Sequence, residues 1–321
     1  MQIYLFGAGA SAAEGAPATQ GFFARAWTLL GPRFDERTAA VWHFLTEIFG
    51  HPVTGPDSFE FIPAVDEVIS LVDWSLHANQ GLGRRFDPPR LYLVRRDLEH
   101  LLCATLDAAL ARREDDQPGP HSRFAADLAR HFAPDQVTLI SLNYDTLLDD
   151  ALTGAGWAPD YGLQATASGP LLAKLHGSLN WVQCPACSYI AVTRCPATCA
   201  QCGNANLHGL IISPTLIKSY RGAHLDHIWE LALARLRQAD RIVFVGYSLP
   251  QADIAIYHLL QRSMLVAPAG RLRPAVHVIN HTASHSSPAA RAMKEDAVTS
   301  RFRRLFGPRV TFDFSGFHGQ V

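Results

Sequence analysis

An α/β fold is what this sequence predicts, and three observations carry the prediction. Short apolar, β-branched runs alternate with stretches of helical periodicity. The first run, Gln2–Phe6, opens directly into the glycine-rich turn Gly7-Ala8-Gly9-Ala10-Ser11-Ala12. Five of the six cysteines crowd between positions 184 and 202. The expectation is a Rossmann-like parallel sheet with helices on both faces, a helical insertion, and a small zinc-ribbon module.

Taken in order, residues 2–6 read as a buried strand, and the residues after the turn as a helix reaching about Leu30. Positions 39–49, 61–75 and 90–113 carry apolar residues three and four apart, as in Val68, Leu71, Val72 and in Leu98, Leu101, Leu102, Leu106. That is helical spacing. The stretch Arg112-Arg-Glu-Asp-Asp-Gln-Pro-Gly-Pro120 reads as an exposed breaker. Strand character returns at 136–142, with further strands at 171–175 and 210–212. Then helix and strand alternate: helix 224–238, strand 241–245, helix 253–264, strand 275–279, helix 288–306 and strand 310–314. This order assigns 1–32, 133–180 and 208–321 to the sheet domain, 33–132 to the helical insertion and 181–207 to the metal module.

At 321 residues and 48% hydrophobic, the chain can bury a large core without staples, which excludes a mainly disordered protein. Its net charge of -1 gives no global case for nucleic acid or an anionic membrane. No uncharged apolar run reaches the ~20 residues of a membrane span. The N-terminus lacks the basic region of a signal peptide, so the expected location is the cytoplasm, which suits reduced cysteines.

Six motifs carry chemistry. Gly7-x-Gly9-x-x-Ala12, between strand and helix, lets a backbone approach a pyrophosphate, although many such turns hold no ligand. The dehydrogenase variant wants an acidic residue ending a second strand about 20 positions on. Here that stretch is helix followed by Gly31-Pro-Arg-Phe-Asp35, so hydride transfer is disfavoured.

Cys184-Pro-Ala-Cys187 and Cys199-Ala-Gln-Cys202 are two C-x-x-C knuckles, the donor set of a tetrahedral Zn²⁺. Four thiolates leave no open position, so the zinc is expected to be structural. Cys195 lies between the knuckles as an alternative ligand, and Cys103 reads as core.

Ser141-Leu-Asn143-Tyr-Asp145 and Lys174-Leu-His176-Gly177 each end a strand, where open α/β sheets bind ligands. Asn and Asp are equally ordinary turn residues and a lone His is often structural, so both readings stand at this level. Gly246-Tyr-Ser248 and Ile279-Asn280 end two more strands. The first fails as a hydrolase elbow because Pro250 replaces the second glycine.

In this order the motifs resemble the sirtuin superfamily of NAD-consuming enzymes. Gly7-Ala-Gly9-Ala-Ser11…Gly15-Ala-Pro17 resembles its Gly-Ala-Gly-Ile-Ser…Gly-Ile-Pro, and Ser141-Leu-Asn143-Tyr-Asp145 its Thr-Gln-Asn-Ile-Asp. Leu175-His176-Gly177 resembles its catalytic Leu-His-Gly, with the four-cysteine module following. Gly246-Tyr-Ser248 is similar to Gly-Thr-Ser, and Ile279-Asn280 to a later Ile-Asn. The resemblance covers 2–30 and 135–282. It implies NAD⁺ as substrate, with Gly7, Ala8, Gly9 and Ser11 on the pyrophosphate, Gly246 and Ser248 on the adjacent phosphate or ribose, and Asn280 on the adenosine ribose. It further implies Asp145 on the nicotinamide carboxamide, Asn143 orienting ribose and water, and His176 as general base.

Two departures separate the chain from protein-deacylating members. Asp-Phe-Arg after the Pro is replaced by Ala18-Thr19-Gln20, and the peptide-clamping Phe-Gly-Glu segment by Ile212-Ser-Pro-Thr-Leu-Ile-Lys218. This pattern resembles the sirtuin-like NAD hydrolases of bacterial anti-phage systems, which implies a homo-oligomer and a defence partner protein. The alternatives are an NAD-dependent deacylase or ADP-ribosyltransferase, and a sensor that binds NAD or ADP-ribose uncleaved. A zinc-ribbon nucleic-acid adaptor ranks last, because 181–207 carries a single basic residue, Arg194.

Overall fold

The computed structural model describes residues 1–32, 34–111, 117–163, 168–194, 196–213, 223–251, 253–265, 273–281 and 287–320. Cys195 and most of the 212–218 stretch therefore lie outside the described residues. In chain order the elements begin with β1 (Gln2–Phe6), α1 (Ala8–Ala12), α2 (Phe22–Leu30), α3 (Glu36–Phe49), α4 (Val65–His77), α5 (Pro88–Ala111) and α6 (Pro120–His131). There follow β2 (Val137–Ser141), α7 (Leu147–Gly154), β3 (Leu171–Lys174), β4 (Gly177–Gln183), β5 (Ile190–Val192) and β6 (His208–Ile211). The chain ends with α8 (Ala223–Leu236), β7 (Arg241–Val245), α9 (Ile254–Leu265), β8 (Ala275–Ile279), α10 (Pro288–Phe306) and β9 (Thr311–Asp313). These form two compact units: one from 1–14, 115–211 and 220–321, the other from 15–114 and 212–219.

The first unit holds a six-stranded sheet in the order β3-β2-β1-β7-β8-β9, parallel throughout. The chain walks outward from β1 through β2 to β3, then returns past β1 to β7, β8 and β9. Right-handed crossovers put α6 and α7 on one face and α8, α9 and α10 on the other. The side chains agree. Tyr4 and Phe6 point to one face and meet Phe124 of α6 edge-on, with Phe317 beside them. Phe244 of β7 points to the other and meets Phe302 and Phe306 of α10. With both faces covered, β1, β2 and β7 are buried along almost their whole length rather than at alternate residues, as expected for a parallel sheet.

Reversing direction at β1 creates a switch point between β1 and β7, the place where open α/β sheets bind ligands. Beyond β3 the same unit carries an antiparallel sheet, β5-β4-β6, that bears the cysteines. Gly177, at its start, has φ +77°, and a Cβ there would stand 2.0 Å from the Leu210 carbonyl oxygen. Only glycine lets β6 run this close behind His176.

The second unit is helical. Phe23, Trp27, Trp42 and Phe59 form an aromatic cluster among α2, α3 and the turn before α4. Asp35 caps α3 by accepting the Thr38 N–H at 2.7 Å, worth about 1 kcal/mol. Leu91, Leu98 and Leu101 of α5 are fully buried, which accounts for the spacing seen in the sequence. Among the described residues no helix is long and apolar enough to cross a membrane.

Candidate functional site

Because the sheet is parallel, β1, β2, β3, β7 and β8 all deliver their following residues to one edge. The candidates arrive there in neighbouring turns: Gly7 to Ser11 after β1, Asn143 and Asp145 after β2, His176 after β3, Gly246 and Ser248 after β7, and Asn280 after β8.

The β1 and β7 turns touch backbone to backbone. Gly7 N–H donates to the Val245 carbonyl and Gly9 N–H to the Gly246 carbonyl, both at 2.9 Å, while Gly246 N–H donates to Ile279 at 2.8 Å. A Cβ on Gly246 would lie 2.0 Å from Ala10 N, and its φ is +63°. The glycines thus serve first to let two strand ends meet at the switch point. Gly246→Ala is expected to destabilise the chain by more than about 4 kcal/mol, since left-handed strain adds to an unrelievable backbone clash. Chemical denaturation checks this; a variant as stable as the parent would show that the turns separate freely.

Ser11, Asn143 and Asp145 form one buried cluster. Ser11 Oγ donates to Asp145 Oδ2 at 2.6 Å. Asn143 Nδ2 donates to Ser11 Oγ at 2.8 Å and to the Gly7 carbonyl at 3.0 Å. Asp145 Oδ1 accepts the Leu147 N–H at 3.1 Å, fastening the start of α7. His176 is 5% exposed, and its Nδ1–H donates to the Leu142 carbonyl at 3.0 Å. A carbonyl only accepts, so Nδ1 carries a proton. Trp229 Nε1–H anchors the adjoining Leu175 carbonyl. Behind the turn, Glu14 accepts both the backbone N–H and the ring Nδ1–H of His121, tying the segment after α1 to the start of α6.

The other candidates stand apart from this cluster. Ala8 is exposed, Ser248 is half-buried, and the Asn280 side chain accepts the His281 N–H. A cavity of about 910 Å³ in the helical unit, lined by Phe22, Phe59, Asp57, Glu60 and Asp66 among others, contains none of the strand-end residues.

The four predicted cysteines converge. Cys184 and Cys202 sulfurs lie 3.5 Å apart, Cys187 and Cys199 3.6 Å, and all four within 4.8 Å of one another. Zinc–sulfur bonds of about 2.3 Å in a tetrahedron place sulfurs about 3.8 Å apart, so the set fits Zn²⁺. The knuckles repeat one geometry. Ser188 N–H donates to Cys184 and Gly203 N–H to Cys199, while Cys184 N–H donates to Tyr189 and Cys199 N–H to Asn204. Desolvation opposes ionisation of Cys184, yet the Cys187 and Ala186 N–H groups prevail and hold its thiol at about 7. The Tyr189 N–H favours ionisation of Cys187, but desolvation and three neighbouring thiols push it up to about 12. Thiols so crowded want a cation among them.

The sequence reading named Lys174 only as the start of the His176 motif and did not foresee Asp149, Ser178 and Tyr161, with which it forms a largely buried polar chain beneath the cluster. The one available signal was a lysine inside the apolar run Leu171-Leu-Ala-Lys174-Leu.

No protein-family model matches the chain, and no curated protein matches it. Solved structures similar to it include Sir2 proteins. A Sir2 complex with a p53 peptide and NAD⁺ is 13% identical, with 99% of this chain and 89% of that one covered at a TM-score of 0.44. A Sir2 homologue in complex with NAD is 18% identical, with 95% and 90% covered at 0.38. A Sir2 homologue mutant bound to ADP-ribose is 18% identical, with 92% and 90% covered at 0.37.

Proposed function

We propose that the chain hydrolyses NAD⁺ at the nicotinamide–ribose bond, giving nicotinamide and ADP-ribose. The observation that carries this reading is the strand-end cluster. Ser11, Asn143 and Asp145 are hydrogen-bonded into one group beside the switch point, and His176 is held through Leu142 of the same loop with Nε2 as its base.

On this reading the pyrophosphate lies along the seam between the β1 and β7 turns, against Ala8, Ser11, Gly246 and Ser248. The adenosine ribose reaches Asn280. Asp145 receives the carboxamide, and Asn143 orients the nicotinamide ribose and a water. The glycosidic bond ionises, its electron pair leaving with neutral nicotinamide, and an oxocarbenium-like ribose develops. Water adds to C1′ and gives its proton to His176 Nε2. Positioning in a water-poor site contributes the rest. Zn²⁺ on Cys184, Cys187, Cys199 and Cys202 holds the module's shape and takes no part in bond breaking.

Ala18, Thr19 and Gln20 stand where deacylating relatives of the resembled family carry Asp-Phe-Arg, and this favours water over an acyl-lysine as the acceptor. The same resemblance implies a role in bacterial anti-phage defence, with a homo-oligomer and a defence partner protein, and the expected location is the cytoplasm. Incubation of the purified chain with NAD⁺ and no peptide tests the chemistry. Nicotinamide and ADP-ribose in equal amounts are expected. Turnover only with an acylated peptide makes the chain a deacylase; tight binding with intact NAD⁺ recovered makes it a sensor.

A further inference from the structure

Lys174 ends β3 with no exposed surface, and nothing in the hydrolysis above uses it. Taking an ammonium out of water costs several kcal/mol even when paired. Leu172, two residues earlier on the same face of β3, is a fully buried apolar side chain. A buried ion pair is weak evidence for stability, because well-packed apolar residues of similar volume often serve as well. What the lysine supplies here is direction.

All three ammonium protons are placed: on the Asp145 carbonyl at 2.6 Å, Ser178 Oγ at 2.6 Å and Asp149 Oδ2 at 3.0 Å. Positions 174, 176 and 178 act as a comb against one loop. Lys174 holds the carbonyl of Asp145, His176 that of Leu142, and Ser178 Oγ, at 3.3 Å, joins the Leu179 N–H, at 2.8 Å, on that of Tyr144. Three of the four carbonyls between Leu142 and Asp145 are fixed from this side. From the other side Asn143 holds Gly7 and Ser11, and Ser11 holds Asp145. Asp149, on α7, balances the lysine and accepts the Tyr161 hydroxyl at 2.6 Å. Burial and the Asp149 charge raise the Tyr161 pKa, so that hydroxyl stays a donor.

We infer that Lys174, balanced by Asp149, is a positioning residue: it fixes the Asp145 carbonyl so that Asn143 and Asp145 present their side chains to the nicotinamide ribose in one geometry. This rests on the NAD⁺ reading, and the test separates the two. The charge-neutral double variant Lys174→Met with Asp149→Asn strands no ion. Its kcat for nicotinamide release should fall about 30–100-fold, with KM for NAD⁺ within about threefold, because misplacement near 1 Å costs about that much. Amide exchange across 142–149 should rise at least about tenfold while β1 and α10 stay protected, marking a local loosening. Ser178→Ala removes one tooth of the comb without touching charge and should lower kcat about fivefold, which keeps the test alive if the double variant fails to fold.

Parental kcat in either variant, or a loss confined to KM, overturns the inference. If the parent chain releases no nicotinamide, the hydrolase reading fails and exchange alone decides. Loosening confined to 142–149 upholds the lysine's role, and unchanged exchange ends it.

Discussion

A His176→Ala chain is expected to lose about 10²–10⁴-fold in kcat for nicotinamide release, the span a single general base contributes. The geometry makes the expectation sharp. Nδ1–H is spent on the Leu142 carbonyl, so on the proposed reading Nε2 is the atom that takes the water's proton. The proposed binding seam between Gly7, Gly9 and Gly246 is built from backbone, so KM should stay within a few fold. Truncation leaves the buried Leu142 carbonyl without its donor, which costs about 1–3 kcal/mol, small beside the two-faced core. Melting should drop by several degrees while circular dichroism stays parental. Asn143→Ala should match the activity loss and melt lower still, because its amide holds both Gly7 and Ser11. Release within threefold of parental in both variants would falsify the assignment of base and orienting residue.

Much of this architecture is legible in the residues, and the limits have physical causes. β1, β2, β7 and β8 announce themselves because a sheet covered on both faces needs continuous apolar runs. α7 does not, since eight residues give two turns, too short a window for periodicity to register. β4 is hidden by Ser178 and Asn180, polar residues in a strand whose largest anchor is Trp181. At the strand ends, motif order brings out Ser11, Asn143, Asp145 and His176 as residue types. Their mutual bonds are another matter: Ser11 reaches Asp145 across 134 positions, and Asn143 reaches Gly7 across 136. No local pattern encodes such pairings. The glycines show the same limit, because residues that invite an anion in the sequence are engaged by a second turn in space. Lys174 is the sharpest case. A lysine in an apolar strand is almost never buried unless paired, and its partner Asp149 lies 25 positions away on a different element.

Removing the metal should have an effect larger than the module's size implies. β4, β5, β6 and the loops between them contribute few large buried side chains, chiefly Trp181, Ile190 and the loop cysteines Cys184 and Cys199. A segment below about 40 residues rarely stays folded without a staple, and here the staple is a four-thiolate ion. Structural zinc contributes folding free energy directly, with apparent binding of about 10–16 kcal/mol in isolated fingers. The loosening should also travel. Trp181 is fully buried and packs edge-on against Tyr161 at 5.4 Å between ring centroids; Tyr161 holds Asp149, Asp149 holds Lys174, and Lys174 holds the Asp145 carbonyl. Gly177 opens β4 one residue after His176, so an unfolded β4 frees the backbone that carries the base. One zinc per chain is therefore expected on metal analysis. Stripping it should lower the melting temperature by about 5 °C or more and abolish nicotinamide release, although the ion contacts no reacting atom. Cys199→Ser should reproduce both losses, and adding back zinc should restore only the parent. If the metal-free chain melts as before and still turns over, the cysteine cluster is packing alone and the chain of contacts from Trp181 to Asp145 transmits nothing.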